Sequence, residues 1–274
     1  MIDTRPAAVA GTFYPQDSQE LSQLLHSLLQ QAEERPVSLA ADETLSNAII
    51  LPHAGYVYSG PIAATGYQTL RTRAQQIKTV LIMGPAHRVR MRGCAGPSVR
   101  WFETPLGKIP IACDLLNGLI EQNLAYQYDE AHAHEHSLEV HLPFLQTLLG
   151  NFSLLPLVVG ECKADTIAAI ISQVWNDDTL IVISTDLSHF LDYDSARQRD
   201  QQTSKAIEAL NFAAIGPEDA CGCVPLAGLL LHAQNQGLHI TTLDCRNSGD
   251  TAGDKQRVVG YGAYVVSQQS RNNS

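Results

Sequence analysis

Five short and almost uninterrupted apolar segments constrain the fold of this chain more than any other feature of its sequence. They cover residues 48–51, 79–83, 154–159, 180–184 and 262–266, and turn-forming residues bound each of them. A strand with one face in water alternates apolar and polar residues, whereas a strand buried on both faces is apolar throughout. The pattern therefore predicts a central sheet that is covered on both sides.

Helical periodicity separates these segments. Asp17 and Glu20 form a capping-box pattern before leucines at helical spacing, which predicts a helix over 18–34. Further helices are predicted over 61–70, 114–122, 138–149, 165–175, 195–210 and 224–236. Strands that alternate with helices are typical of a parallel sheet. We therefore expect one α/β domain over 1–274, with a mostly parallel central sheet flanked by helices and a flexible tail over 267–274.

Charge and cysteine content exclude several classes of protein. The net charge is −10 and the isoelectric point is about 5.4, which argues against nucleic-acid and anionic-membrane partners. The N-terminus lacks the apolar region of a signal peptide, and no apolar stretch approaches the roughly 18 residues of a membrane span. Six scattered cysteines do not suggest a disulfide framework. We expect a cytoplasmic protein that binds neither nucleic acid nor membrane.

Histidines follow three of the predicted strands. His53 comes after strand 48–51, His87 after strand 79–83 and His189 after strand 180–184. The carboxyl ends of parallel strands lie along one edge of a sheet, and ligands bind in the crevice there. Imidazole is a good ligand for iron, copper and zinc. The spacing therefore predicts a metal-binding pocket at this edge.

Two cysteines are candidates for a further ligand. Cys221 and Cys223 precede the helix predicted over 224–236. A helix N-terminus lowers the pKa of a nearby thiol and favours the thiolate that a metal requires. With one residue between them, both sulfurs rarely reach one ion, so we expect one cysteine to bind and the other to pack. These considerations leave open which of the two binds.

Other polar residues are candidates for supporting positions. Glu135 and Glu139 have the i, i+4 spacing that places two carboxylates on one helix face, and with His136 they could orient the metal-binding histidines. Tyr56 could donate a hydrogen bond in the pocket, although packing is the commoner role of a buried tyrosine. Asp186, three residues before His189, could orient a ring nitrogen or a water.

The segments that carry these residues resemble the Memo family. The matching blocks occur in order over nearly the whole chain, at residues 10–15, 52–56, 84–87, 104–107, 135–144, 184–189 and 221–222. The family's fold is similar to that of class III extradiol ring-cleavage dioxygenases, which are non-haem iron(II) enzymes. Two histidines and a glutamate hold the iron in those enzymes, and a further histidine acts on oxygen and substrate. The resemblance implies a class III extradiol dioxygenase-like fold.

The resemblance also implies a set of site residues. Metal ligation is assigned to His53, His87 and Cys221, with Asp186 and His189 as catalytic neighbours. A thiolate then stands where the dioxygenases use a carboxylate, and two histidines with a thiolate favour copper, zinc or an iron of altered redox behaviour. We therefore expect iron(II) or copper, with zinc as an alternative. The expected activity is that of a dioxygenase-like oxidoreductase with an unidentified small-molecule substrate.

Two alternatives remain at this point. In a zinc hydrolase, His189 and Glu135 would orient a zinc-bound water and transfer its protons. In a non-catalytic metal- or peptide-binding module, the pocket would be vestigial, although Phe13 stands where animal members carry the tryptophan used in peptide binding. Microbial relatives are associated with a radical-SAM protein and an AMMECR-type protein, which suggests partners in a shared pathway.

Overall fold

The helices and strands account for most of residues 3–34 and 43–269, the ranges that the structure, a computed structural model, describes. The α-helices are α1 Ser18–Glu33, α2 Tyr56–Gln68, α3 Cys113–Glu121, α4 Asp129–Ala133, α5 Leu142–Leu149, α6 Ala164–Val174, α7 Tyr193–Glu208 and α8 Cys223–Gln236. The strands are β1 Thr4–Arg5, β2 Glu43–Leu51, β3 Thr79–Pro85, β4 Cys94–Gly96, β5 Trp101–Thr104, β6 Gly107–Pro110, β7 Tyr126–Gln127, β8 Ser153–Val159, β9 Thr179–Ser184, β10 His189–Leu191, β11 His239–Asn247 and β12 Val258–Gln269.

Four parallel strands form the centre of the main sheet, in the order β2-β9-β3-β8. On one side β12 joins β2 in antiparallel fashion and also pairs with β10 and β11. On the other side β4 runs antiparallel to β8, and β7 pairs with β4. Strands β1, β5 and β6 form a separate small sheet. The predicted parallel arrangement is confirmed at the centre, while antiparallel pairs at both flanks make the whole sheet mixed.

Helices cover both faces of the central strands. Along β3, Val80 and Ile82 pack with α1, α2 and α5, whereas Leu81 and Met83 pack with α3, α6 and α8. All four side chains are fully buried. Successive side chains of a strand point to opposite faces, so a strand between two helical layers needs apolar residues at every position. The predicted α/β architecture is confirmed, and among the described helices none is long and apolar enough to cross a membrane.

The predicted helix over 138–149 is wrong in its first turn. Helix α5 begins at Leu142, and a short 3-10 turn, Glu139–His141, precedes it. Pro143 favours this start, because proline lacks an N–H group and is best accommodated in the first turn of a helix, where Pro143 lies. Glu135 and Glu139 therefore do not share a helix face.

The C-terminal strand is longer than its sequence pattern suggested. β12 runs to Gln269, well beyond the predicted strand over 262–266, and Ser267 is buried within it. The flexible tail predicted for 267–274 therefore begins inside a strand. Residues 270–274 lie outside the described part of the chain.

Candidate metal centre

Two of the histidines that follow strands meet at the carboxyl edge of the central sheet. His53 follows β2 and His87 follows β3, and both strands are parallel neighbours of β9. Their ring centroids are 5.1 Å apart, with the rings edge to face. The two loops converge because neighbouring parallel strands end at one edge.

A third imidazole, that of His136, completes the group. Its ring centroid lies 4.6 Å from that of His87 and 5.4 Å from that of His53. One ring nitrogen from each of the three histidines lies within 4.8 Å of the others. The sequence predicts only a supporting position for His136, which follows no strand. The turn after α4 brings it into the group.

A buried hydroxyl group determines which nitrogen of His53 carries the proton. Ser184 donates its hydroxyl hydrogen to the carbonyl of Ser137, at 2.6 Å. Its oxygen then accepts from His53 Nδ1 at 2.7 Å and from His141 Nε2 at 2.9 Å. Tyr67 donates to His141 Nδ1 at 2.8 Å, which satisfies the last nitrogen of the network. His53 is therefore protonated on Nδ1 and presents the lone pair of Nε2 to the site.

The buried position also keeps His53 neutral. Burial, followed by the neighbouring imidazoles, holds the pKa of His53 well below its ordinary value of 6.5. Burial likewise lowers the pKa of His141 to about 3. A neutral imidazole is the form that ligates a metal.

Glu135 holds the second histidine. Its carboxylate accepts hydrogen bonds from the backbone N–H of His87 at 2.6 Å and from His87 Nδ1 at 3.0 Å. It also accepts from the backbone N–H groups of His136 and Ser137. Burial would raise the pKa of Glu135, but hydrogen bonds from His136 and His87 hold it well below the usual range. A carboxylate that fixes the ring of a ligating histidine is a common support of metal sites.

Cys221 contacts the imidazole group through His53. Its Sγ lies 3.4 Å from His53 Nε2 and accepts a hydrogen bond from the backbone N–H of Asp186 at 3.3 Å. Burial, and after it the charge of Asp186, raises the pKa of Cys221 to about 12. The lowered pKa that we predicted from the helix N-terminus is therefore wrong, because desolvation outweighs the helix dipole. Cys223 lies in the first turn of α8, and burial raises its pKa as well.

A glycine makes this position of Cys221 accessible to the chain. A Cβ atom at Gly222 would lie 2.5 Å from the carbonyl oxygen of Ser184 and 2.7 Å from Cβ of Thr185. The Gly222 N–H donates to Thr185 Oγ1 at 2.8 Å. Only a residue without a side chain lets the start of α8 touch the end of β9 so closely.

The other predicted site residues have different surroundings. The buried Asp186 carboxylate accepts from the His53 backbone N–H at 2.7 Å, and burial raises its pKa. His189 begins β10 and is half-buried, outside the group of three imidazoles. Tyr56 is buried in the core, where its hydroxyl donates to the Val140 carbonyl at 2.6 Å. For Tyr56 the structure favours packing over a role in the pocket.

The donor distances suit a transition metal. A tetrahedral ion with bonds of roughly 2.05 Å to nitrogen and 2.3 Å to sulfur holds nitrogens about 3.3 Å apart, and a sulfur about 3.6 Å from a nitrogen. Cys221 Sγ and His53 Nε2 are 3.4 Å apart, and the three imidazole nitrogens lie within 4.8 Å of one another. Cys221 lies outside this set of three, and its sulfur contacts the group through His53.

Comparison with known proteins identifies the family of the chain. The family model described as Memo-like protein matches residues 5–265 of the chain. The chain belongs to the Memo family. Memo relatives include the MEMO1 family protein of Metallosphaera sedula, 34% identical over 94% of this chain and 97% of its own, and that of Aquifex aeolicus, 35% identical with the same coverage.

More distant similarity extends to a solved structure. A crystal structure of an uncharacterized protein from Escherichia coli K12 is 14% identical, with a TM-score of 0.48, and the alignment covers 79% of this chain and 99% of that one. For this Memo family chain, the imidazole group is a site that could hold a metal ion.

Proposed function

We propose that this Memo family protein is a metal-dependent redox enzyme that acts on a small molecule. The observation that carries the proposal is the meeting of three imidazoles from separate loops, one of which, that of His53, is kept neutral by burial and has a thiol 3.4 Å from it. His53 is buried, His136 is half-buried and His87 is exposed, so the group lies at the surface end of the sheet, where a small molecule can reach it. In the proposal His53, His87 and Cys221 hold the ion.

The choice of three ligands rests on the need for an open position. Catalytic metal sites keep one coordination position free for water or substrate, whereas four protein ligands close a tetrahedral site. With Cys221 as a ligand, His136 would be left near the ion and would supply a hydrogen bond or a weak further contact. We propose iron(II) or copper as the metal, because a redox-active ion supplies the electron transfer that these side chains cannot provide.

His189 and Asp186 are proposed to serve the reaction beside the metal. His189 is half-buried, so its imidazole can exchange protons with solvent and with a bound substrate. Asp186 is buried close to it, and the carboxylate also holds the His53 loop through the backbone N–H of that residue. We assign the movement of protons to a ring nitrogen of His189.

The zinc hydrolase is the weaker proposal because of the surroundings of Glu135. A general base must be free to take a proton from water. The Glu135 carboxylate instead accepts several hydrogen bonds from His87, His136 and Ser137, and its pKa is held well below the usual range. These contacts suit an orienting role.

Metal analysis tests the proposed site. Protein purified without oxygen should contain iron or copper, and a His53→Ala/His87→Ala variant should lose it, while His26→Ala on the exposed face of α1 should keep it. An unchanged content of iron, copper and zinc in the double variant would refute the shared site. Zinc as the sole bound metal would favour the hydrolase.

Oxygen consumption tests the proposed activity. The iron(II) form is supplied with catechol-like substrates, and turnover that depends on His189 supports the dioxygenase-like reaction. Persistent inactivity with the metal fully loaded would favour a binding module, for which a radical-SAM or AMMECR-type protein is the proposed partner.

A further inference from the structure

Two thiols lie against each other at a place that the proposed metal centre does not use. Cys94 begins β4 and pairs in register with Val159, the last residue of β8. Cys162 follows Val159 by three residues. The N–H of Gly160 donates to the carbonyl of Gly93 at 3.0 Å, so the chain leaving β8 stays against the start of β4. The Cys94 and Cys162 thiols are thereby neighbours, and each of them acts on the pKa of the other.

The two thiols have unequal surroundings. Cys94 is buried in the core, whereas Cys162 is partly exposed. Cys162 directly precedes Lys163, the N-cap residue of α6. The positive end of the α6 dipole stabilises a thiolate at this position.

The direction of proton sharing follows from this difference. The hydrogen bond from Cys94, followed in size by burial that acts against it, lowers the pKa of Cys162 to about 6. The same hydrogen bond, with burial next, raises the pKa of Cys94 far above its ordinary value. Cys162 is therefore the nucleophile and Cys94 the thiol that donates to it.

We propose that Cys94 and Cys162 form a peroxide-sensitive dithiol that closes to a disulfide bond. Partly exposed thiolates with a second cysteine in contact are the thiols that peroxides oxidise reversibly. A disulfide needs the sulfurs about 2.05 Å apart and the two Cα atoms within about 7 Å, and the pairing of β4 with the end of β8 favours such an approach. The proposal is independent of the proposed metal-dependent activity, because it involves none of the site residues.

The reaction balances with hydrogen peroxide as the oxidant. The Cys162 thiolate attacks one peroxide oxygen, the O–O bond breaks, and a sulfenic acid and hydroxide form. The Cys94 sulfur then attacks the Cys162 sulfur, the S–O bond breaks, and a second hydroxide leaves. Two thiols lose two electrons and two protons in total, and one peroxide becomes two waters.

Peptide mapping of the full chain tests the proposal. Protein is treated with stoichiometric hydrogen peroxide, remaining thiols are alkylated, and the chain is cut with trypsin and Glu-C protease. These enzymes release fragment 93–100 with Cys94 and fragment 162–163 with Cys162, and they place Cys113 in a separate fragment. The expected result is a linked pair of 93–100 and 162–163 that reduction separates.

Variants identify the order of events. In Cys94→Ser the linked pair is lost and dimedone labels a sulfenic acid at Cys162, while Cys162→Ser leaves Cys94 unoxidised. Diamide, a thiol oxidant that releases no hydroxyl radical, should give the same linkage in the wild-type protein. The proposal is overturned if the wild-type protein keeps both thiols free while other cysteines oxidise, or if Cys162 links to a cysteine other than Cys94.

Discussion

We expect the Ser184→Ala substitution to lower both the stability of the protein and its affinity for a metal ion, and the two losses can be measured separately. The Ser184 hydroxyl joins three buried groups: it donates to the Ser137 carbonyl and accepts from His53 Nδ1 and His141 Nε2, at 2.6, 2.7 and 2.9 Å. Alanine fits the same space but leaves these groups without a partner. His53 then lacks the contact that keeps its proton on Nδ1 and the lone pair on Nε2.

Two magnitudes follow from this geometry. A net hydrogen bond contributes about 1 kcal/mol, and a buried polar group left unpaired costs about 1–3 kcal/mol, so we expect the free energy of unfolding to fall by roughly 2–5 kcal/mol. Removing a group that orients a ligating histidine typically lowers metal affinity by about 10–100-fold. The second effect is specific to the tautomer of His53.

Both effects are measurable on the same sample. Urea denaturation of metal-free protein gives the change in unfolding free energy, and competition with a chromogenic chelator gives the affinity for Zn²⁺. Ser172→Ala on α6 is the matched control, since this hydroxyl also donates to a carbonyl, at 2.8 Å, and contacts an imidazole, that of His232. The control should keep its affinity. If Ser184→Ala is destabilised but binds Zn²⁺ like the wild-type protein, the argument from the tautomer is refuted.

Three further predictions concern stability. Glu139→Ala removes the carboxylate that pairs with buried Arg5, and we expect the free energy of unfolding, measured by chemical denaturation, to fall by about 3–5 kcal/mol. Glu33→Ala removes the partner of Arg71 in an exposed pair and should lower it by less than about 1 kcal/mol. Equal costs would contradict this. Gly222→Ala should cost about 1–3 kcal/mol or more through its contact with the β9 backbone, whereas Gly118→Ala, with open space around it, should be neutral or stabilising. The pKa of His141 is lowered to about 3. Since the unfolded chain takes up this proton at about pH 6.5, stability should fall with acid by about 1.4 kcal/mol per pH unit between pH 6.5 and 3. A His141→Gln variant should lack this contribution, and an unchanged pH slope in that variant would contradict the assignment.

The central strands could be predicted because burial on both faces leaves a local record in the sequence, a run of consecutive apolar residues. Every position of a strand between two helical layers must be apolar, so β3 and β9 can be recognised from their own residues alone. Apart from β12, the flanking strands leave no such record. Strand β11 carries Asp244 and Arg246 at half-buried positions and, among the described strands, pairs only with β12. Its pairing is decided by the rest of the sheet.

The residues of the candidate site also fall into those that the sequence could predict and those that it could not. His53 and His87 follow central strands, and the parallel order of those strands is enough to bring them together. His136 lies in a turn, and only the hydrogen bonds that Glu135 makes with His87 and with the turn itself place its ring beside the others.

Cys221 shows where a local rule fails. The start of a helix lowers the pKa of a thiol when water still solvates it, and this was the basis of the prediction from the sequence. In the folded chain the thiol is buried next to the Asp186 carboxylate, and its pKa rises to about 12. The sequence by itself determined the layered α/β fold, because apolar periodicity is a property of neighbouring residues. The third imidazole, the tautomer of His53 and the protonation of Cys221 were decided by the tertiary structure, since desolvation and hydrogen bonding depend on groups distant in the chain.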